Sequence, residues 1–211
     1  RIICSTEFFY SIFRVTTPIL LAALGAMITS RAGVVNIGLE GIMLFSALAG
    51  VVTSAWTQSA AVGLLAAILV GVLISALMAY VMLVLRSDIT LTGFAVNALG
   101  SGCTVFLLYV ICNDKGISSS LASKVLPKVN LPLIQDIPFV GKVLSGHNIM
   151  TYVAFLLIIV IYWLVNKTPL GLRIRAVGEN PHAAESVGIK VTRIQLIAML
   201  ISGVLAGMAG A

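Results

Sequence analysis

Six long apolar runs limit what this 211-residue chain can fold into. They cover roughly residues 8–30, 33–56, 61–85, 89–111, 148–165 and 191–211. A helix of about 20 apolar residues matches the ~30 Å hydrocarbon thickness of a bilayer and satisfies its own backbone polar groups. Hydrophobic residues make up 60% of the chain and charged residues 9%, which excludes an ordinary soluble domain. The sequence therefore predicts an all-α, polytopic bundle of about six transmembrane helices.

The apolar runs follow one another closely and predict a single transmembrane domain over residues 1–211. The chain begins at Arg1 and ends at Ala211 within an apolar run that has not finished. We therefore expect a piece of a longer protein, incomplete at both ends. The pattern of a removable signal peptide is not present. The three cysteines lack metal-ligand spacing, so neither a metal site nor a cofactor is predicted.

Basic residues predict how the bundle is oriented. With six spans, one side receives Arg31, Arg86, Lys167, Arg173, Arg175, Lys190 and Arg193. The other side receives Arg1, Lys115, Lys124, Lys128 and Lys142. The first set lies close to helix ends, where the positive-inside bias counts most, so we expect it to face the cytoplasm. The net charge of +6 then reflects topology and lipid headgroups in a cell membrane rather than binding to nucleic acid.

A long polar stretch, residues 112–147, is expected to form an external loop. It carries Pro127, Pro132 and Pro138 and a run of serines, so it is too polar to span and too rich in proline for a long helix. Two interpretations remain open. The loop either connects two spans passively, or it docks an external partner and contains a short helix or re-entrant hairpin.

Small residues recur at four-residue spacing within two of the runs. They are Ala67, Gly71, Ser75 and Ala79 in the third run and Gly203 and Gly207 in the last. Such stripes allow helix backbones to approach closely in a lipid environment. We expect them to pack helices within one chain, although dimerisation through one of them is also possible.

Two polar residues lie near the start of the second run. Asn36 and Glu40 are four residues apart, so a helix would place them on one face. Three glycines flank them and are expected to loosen or break the helix, namely Gly33, Gly38 and Gly41. A carboxylate at membrane depth should face a cavity or a partner rather than lipid. Asn36 and Glu40 either line a polar translocation path, or Glu40 is satisfied structurally by helix-end amides or by an arginine such as Arg14 or Arg31.

The fourth run carries a second polar face. Its members at helical spacing are Thr90, Gly93, Asn97, Ser101 and Thr104. These uncharged groups could line the same path, and we place Thr90, Asn97 and Ser101 on it. They could equally form hydrogen bonds to adjacent helices.

A polar segment, residues 167–192, separates the last two runs. Thr168-Pro169 ends the fifth span, because the residue before proline is disfavoured in the α region. Asn180-Pro181 predicts a helix start, and Gly188 predicts its end, giving one short helix over about 181–187. Thr192 and Gln195 have the spacing of a capping box that opens the last span. We expect this short helix to pass motion between a cytoplasmic motor and the bundle.

Two motifs resemble a known family. The runs GLR at 171–173, AVGENP at 176–181, AAE at 183–185 and GI at 188–189 are similar to the cytoplasmic coupling segment of ABC importer permeases of the ribose/branched-chain amino-acid type. The run RAGVVNIGLEG at 31–41 resembles the subfamily that serves nucleosides and related simple sugars. The resemblance covers nearly all of residues 15–211, and the first span and C-terminal spans expected of the family are absent.

The resemblance implies a non-catalytic transport subunit with several partners. They are cytoplasmic ABC ATPase subunits, an external substrate-binding lipoprotein, a second permease subunit that is identical or homologous, and the lipid bilayer. The chain has no phosphate-binding G-x-x-x-x-G-K-[ST] loop and no Ser/His/Asp set, so no catalytic residue is predicted. The residues we expect at the ATPase contact are Arg173, Arg175, Glu179, Asn180, Pro181, Glu185 and Gly188.

Other classes of membrane protein remain open. A secondary transporter would more often show ion-coupling carboxylates in paired broken helices, and only Glu40 fits that pattern here. A scaffold or channel subunit would not need the capped helix. An ABC permease for branched-chain amino acids is a further alternative. The sequence does not separate a nucleoside from a pentose as the substrate.

Overall fold

The computed structural model describes residues 6–112 and 147–211, and these residues form eight helices. In chain order they are α1 Thr6–Arg31, α2 Leu39–Thr57, α3 Ala60–Leu83, α4 Ile89–Cys112, α5 Ile149–Lys167, α6 Pro169–Glu179, α7 Pro181–Ser186 and α8 Val191–Gly210. The described part of the chain has no strand, which confirms the predicted all-α fold. The predicted external loop, apart from its two end residues, lies outside the described residues.

Six of these helices are long and apolar enough to cross a membrane, namely α1 to α5 and α8. They confirm the six predicted spans, and most of their ends agree with the prediction within two residues. The main difference is the start of the second span, which begins at Leu39 rather than at residue 33. The protein is therefore a multi-pass helical membrane protein.

Helix α8 lies at the centre of the bundle and packs against α3, α1 and α2. A Cβ added to Gly71 would lie 2.6 Å from the Gly203 carbonyl oxygen, so α3 and α8 meet backbone to backbone. The Ser75 hydroxyl donates to the Met199 carbonyl oxygen at 2.6 Å across the same contact. The predicted small-residue stripes of α3 and α8 thus pack against each other within one chain, which confirms the intramolecular interpretation.

The connection between α1 and α2, residues 32–38, is not helical. Gly33 has a φ of 74°, a left-handed conformation that suits glycine and ends α1. The Val34 N–H then donates back to the Thr29 carbonyl oxygen at 3.1 Å. The prediction that Asn36 and Glu40 share one helical face is therefore wrong, because Asn36 lies before the first residue of α2. The prediction that the flanking glycines break the helix is confirmed for Gly33 and Gly38, which lie in the connection, whereas Gly41 lies within α2.

The polar segment contains two helices, so the prediction of a single short helix was wrong. The predicted helix is α7, and its bounds match within one residue. Helix α6 was missed. It begins at Pro169 behind Thr168, whose hydroxyl accepts from the Gly171 N–H at 3.1 Å. It lies on the bundle through Gly171, Ile174 and Val177, which are all buried.

The predicted capping box at the start of the last span is also wrong. Lys190 occupies the position before α8, and no side chain caps this helix end. The Gln195 amide instead donates to the Ala32 carbonyl oxygen at 3.4 Å, at the end of α1. The long-range contact replaces the local one that the sequence pattern indicated.

Candidate functional site

The connection 32–38 reaches into the bundle rather than running over its surface. The Asn36 Nδ2 donates to the Ser202 Oγ at 3.0 Å, and Ser202 lies near the middle of the membrane-spanning helix α8. A Cβ added to Gly38 would lie 2.8 Å from the sulfur of Met78 on α3. The chain therefore carries non-helical backbone at membrane depth, where such backbone is tolerated only against protein or beside a water-filled cavity.

Asn36 is the most deeply buried polar group of this connection, with 3% of its surface exposed. Its amide nitrogen is satisfied by Ser202, but its Oδ1 is buried without a hydrogen-bond partner among the described protein atoms. A buried acceptor of this kind is costly unless something donates to it. The Asn36 oxygen is therefore able to accept a hydrogen bond from a hydroxyl or N–H group that enters the bundle.

Glu40 lies in the first turn of α2 and is exposed in this single chain. The helix N-terminus favours a negative charge at this place. Arg14, which the sequence offered as a structural partner for Glu40, lines a different cavity beside His147 and Tyr10. The Glu40 carboxylate is thus directed away from the packed core.

Of the five predicted path residues, Asn36, Glu40 and Asn97 lie at or bond to the start of α2, and the other two do not. Asn97 of α4 bonds to backbone on both sides of the helix start, at Ile37, which follows Asn36, and at Gly41, which follows Glu40. Thr90 and Ser101 instead lie on the exposed side of α4. The Ser101 hydroxyl donates to the Ala98 carbonyl oxygen of its own helix at 3.1 Å.

The helices α6 and α7 present most of the predicted contact residues to the outside. Those that are exposed are Arg173, Glu179, Asn180, Pro181, Glu185 and Gly188. Arg175 differs, because it is partly buried and its Nε is enclosed without a partner in the described part of the chain. The Asn180 side chain caps α7 by accepting from the Ala183 N–H at 3.1 Å. Two apolar side chains that the sequence reasoning missed are also exposed, Leu172 on α6 by 62% and Val187 directly after α7 by 75%.

Helix α7 is held in shape at both ends by local contacts. At its C-terminal end the Gly188 N–H donates to the Glu185 carbonyl oxygen at 2.9 Å, and the Ile189 N–H to the Ala184 carbonyl oxygen at 3.0 Å. Gly188 has a φ of 84°, as the predicted helix end requires. The short helix is therefore a defined, exposed element rather than a loose turn.

A glycine contact joins the polar segment to the α1–α2 connection. A Cβ added to Gly178 of α6 would overlap the Arg31 carbonyl oxygen and lie 3.2 Å from the Gly33 nitrogen. Val177 beside it is completely buried, as is Ala32. The end of α6 thus rests directly on the turn that leads to Asn36. The sequence analysis did not predict this junction, because Gly178 lies in α6, the helix that it missed.

Metal or acid–base chemistry has no obvious centre in the described ranges. Residues 6–112 and 147–211 hold no group of three His, Cys, Asp or Glu side chains that could bind a metal ion. His182 is exposed on α7, and His147 is buried and stacks on Tyr10 with ring centroids 4.1 Å apart. The arrangement is one of packing and hydrogen bonding.

These features define a polytopic bundle with a polar break at membrane depth and an exposed helical segment joined to it. The chain belongs to the family described as "Branched-chain amino acid transport system / permease component", which matches residues 8–211.

Three named relatives show which permeases this chain is similar to. The guanosine ABC transporter permease protein NupQ of Bacillus subtilis is 35% identical over 200 residues, which is 92% of this chain and 62% of the relative. The nucleoside ABC transporter permease protein NupC of Lactococcus lactis is 34% identical over 203 residues, covering 93% and 63%. A relative from Haloferax volcanii that is named for glucose transport is 33% identical over 199 residues, covering 92% and 58%.

The chain spans about three fifths of the length of these curated relatives. No solved structure matches it.

Proposed function

We propose that this chain is part of the transmembrane permease subunit of an ABC importer, which moves a nucleoside or a related simple sugar across a bacterial cell membrane. ATP is hydrolysed by separate subunits, so the chain itself is not an enzyme. Membership of the permease family and the names of the relatives support this proposal. The nucleoside is the first choice of substrate, and the sugar is the second.

One observation carries the proposal. The non-helical connection 32–38 lies at membrane depth and is joined through Gly178 to the exposed helices α6 and α7. Interrupted helices at membrane depth are typical of substrate sites in transporters, because their free backbone and polar side chains can replace water around a solute. A surface element in direct contact with such a break can change its geometry when it moves.

The substrate path in this proposal runs along Asn36 and Glu40, with Asn97, Thr90 and Ser101 on the α4 side. The unpartnered Asn36 oxygen and the Glu40 carboxylate are both hydrogen-bond acceptors. A nucleoside offers sugar hydroxyls and base N–H groups to such acceptors, and a simple sugar offers hydroxyls only. The acceptor character of the site therefore suits neutral, donor-rich solutes.

The ATPase contact in this proposal is the outer surface of α6 and α7 on the cytoplasmic side. It comprises Arg173, Arg175, Glu179, Asn180, Pro181, Glu185 and Gly188. The exposed charges and the exposed side chains of Leu172 and Val187 support a protein partner, because an apolar centre with a charged rim is usual at such contacts. Asn180 and Gly188 shape α7, and Arg173, Glu179 and Glu185 are free to pair with the partner.

Two further partners complete the proposed importer. An external lipoprotein delivers the substrate to the opposite face of the bundle. A second permease subunit, identical or homologous, packs beside this one. The exposure of Glu40, Thr90 and Ser101 in the single chain supports this arrangement, since polar groups at membrane depth are stabilised by a second protein surface or by an enclosed aqueous path.

Two alternatives differ from the proposed importer, one in its energy source and the other in its substrate. A secondary transporter would use an ion gradient, and an ABC permease for branched-chain amino acids would use the same motor with an amino-acid substrate. The exposed α6–α7 pair favours a protein driven by a cytoplasmic ATPase over a secondary transporter. The free groups at the break, the Asn36 Oδ1 and the Glu40 carboxylate, accept from hydroxyl groups and offer no donor to the carboxylate of an amino acid, which favours a hydroxyl-rich solute.

Reconstitution decides among these possibilities. The full-length permease, its partner permease, the ATPase and the lipoprotein are placed in proteoliposomes, and uptake of labelled guanosine, glucose and leucine is compared. We expect guanosine uptake that requires both ATP and the lipoprotein. Uptake that follows a proton or sodium gradient without ATP would overturn the proposal, and preferential uptake of leucine would overturn its substrate class.

A further inference from the structure

The start of α2 lacks a cap from its own part of the chain. The residue before the helix is Gly38, and no side chain there accepts from the first turn. The first N–H groups of a helix have no partner within the helix. At membrane depth water is scarce, so these groups need an acceptor from elsewhere in the protein.

Asn97 of α4 supplies that acceptor. Its Oδ1 accepts from the Gly41 N–H at 2.8 Å, and its Nδ2 donates to the Ile37 carbonyl oxygen at 3.0 Å. Gly41 is the third residue of α2, which is the place where a capping side chain ordinarily acts. The one amide thus bonds to backbone on each side of the helix start and uses both of its polar groups.

Glycines bring the two backbones close enough for this contact. A Cβ added to Gly41 would overlap the Val96 carbonyl oxygen, and one added to Gly100 would lie 2.6 Å from the Gly41 Cα. A Cβ added to Gly93 would lie 2.6 Å from the Ile37 Cβ. Over about two turns from Gly93 to Gly100, α4 therefore contacts Ile37 and the first turn of α2 at van der Waals distance, which fixes the position of Asn97 relative to both.

The residues that Asn97 holds are the neighbours of the proposed path residues. Ile37 follows Asn36 directly, and Gly41 follows Glu40 directly. We infer that Asn97 is a positioning residue, which fixes the start of α2 and so the directions of Asn36 and Glu40, and is not itself a ligand of the substrate. The inference depends on the proposed function in one respect, namely that Asn36 and Glu40 line the substrate path.

Two substitutions separate the two hydrogen bonds. Asn97→Asp keeps an acceptor for the Gly41 N–H and loses the donor to Ile37, whereas Asn97→Leu has a similar size and loses both. Gly102→Ala is the matched control on the same helix, because a Cβ there meets nothing within 4 Å. We expect the maximal uptake rate to fall about tenfold in Asn97→Leu and about threefold in Asn97→Asp, and to stay within about twofold in Gly102→Ala.

Substrate comparison separates a positioning residue from a ligand. Loss of positioning lowers uptake of guanosine, adenosine and ribose in the same proportion, because the whole path is displaced. A loss confined to one of these solutes, or a raised KM with an unchanged maximal rate, would overturn the inference in favour of direct contact.

A spectroscopic measurement decides the inference without transport. A spin label is attached to Glu40→Cys in a full-length permease whose other cysteines are replaced by serine. With Asn97 present we expect a single spectral component, and with Asn97→Leu a second, more mobile component. Identical spectra would overturn the inference. If the wild-type importer takes up no nucleoside, the proposed function fails while the spectra still decide the role of Asn97.

Discussion

The two polar regions of this chain are built in opposite ways. The start of α2 is enclosed by α3, α4 and α8, and its hydrogen bonds run between helices, as from Asn36 to Ser202 and from Asn97 to Gly41. The helices α6 and α7 lie on the surface of the bundle, pack on it through Ile174, Val177 and Ala184, and are capped by neighbours in sequence, Thr168 and Asn180. The hydrogen bonds of the first region thus depend on several helices, whereas the caps of the second depend on adjacent residues.

The difference suggests a division of labour. A region whose geometry is set by several helices can respond when any of them shifts, which suits a substrate path. A self-contained exposed element can move as a unit and keep its shape, which suits a docking surface. The two regions meet where Gly178 rests on Arg31 and Gly33, so motion of one has a direct route to the other.

The largest effect is expected from a substitution that disrupts the start of α2, the polar region enclosed by other helices. Gly41→Ala places a methyl group against the Val96 backbone, and neither helix can yield without breaking the Asn97 contacts. Overpacking of this kind costs about 1–3 kcal/mol, and the lost hydrogen bonds add to it. We expect a lower melting temperature of the purified permease and almost complete loss of uptake. Gly102→Ala is the control, and equal behaviour of the two variants would refute the tight α2–α4 contact.

A smaller effect, selective for binding of the ATPase, is expected from a substitution on the exposed helix α7. Glu185→Arg reverses an exposed charge on α7 and leaves the two caps of that helix in place. We expect the melting temperature to stay the same and the ATPase to bind about tenfold more weakly, as for one charged pair at a protein contact. Pull-down of the ATPase measures the binding. Unchanged substrate-dependent ATP hydrolysis in this variant would show that Glu185 is not part of the ATPase contact.

A third prediction concerns the local cap of α7. Asn180→Ala removes the acceptor for the Ala183 N–H and should destabilise the short helix by about 1 kcal/mol. Asn180→Ser retains a capping oxygen and is the control. Hydrogen exchange of residues 181–186 reports the change, with faster exchange expected in the alanine variant only. Equal exchange in both variants would mean that the cap contributes nothing.

The smallest effect is expected where the sequence pattern was misleading. Thr192 belongs to an apparent capping box, but no side chain caps α8. Thr192→Ala should therefore change the free energy of unfolding by less than about 0.5 kcal/mol. Gln195→Ala, which removes the contact to Ala32, should cost more. A larger effect of Thr192→Ala on thermal unfolding would show that Thr192 does cap α8.

These cases show which parts of the structure were predictable. The six spans follow from composition, because a run of apolar residues of the right length has few other folds available. The caps of α7 lie within five residues of the groups they bind, so their pattern is visible in the sequence. Helix α6 was missed because its buried side is only Gly171, Ile174 and Val177, which is too short a pattern to stand out.

The contacts of the enclosed region were not predictable in the same way. Asn97 bonds to backbone 56 and 60 residues away, and Asn36 to a side chain 166 residues away. The polar face of α4 was visible, but the sequence left open whether it served the path or neighbouring helices. The structure gives Asn97 backbone partners and leaves Thr90 and Ser101 exposed.

The central claim is that the exposed helices drive the enclosed break through the glycine junction. Gly178→Ala tests it most directly, since alanine favours helix α6 itself and disturbs the contact with Arg31 and Gly33 at the junction. Uptake and ATP hydrolysis are measured on the same proteoliposomes. We predict that hydrolysis stimulated by the lipoprotein continues while solute imported per ATP falls about fivefold or more, the size of a typical coupling energy. An unchanged ratio in a folded Gly178→Ala permease would contradict the claim.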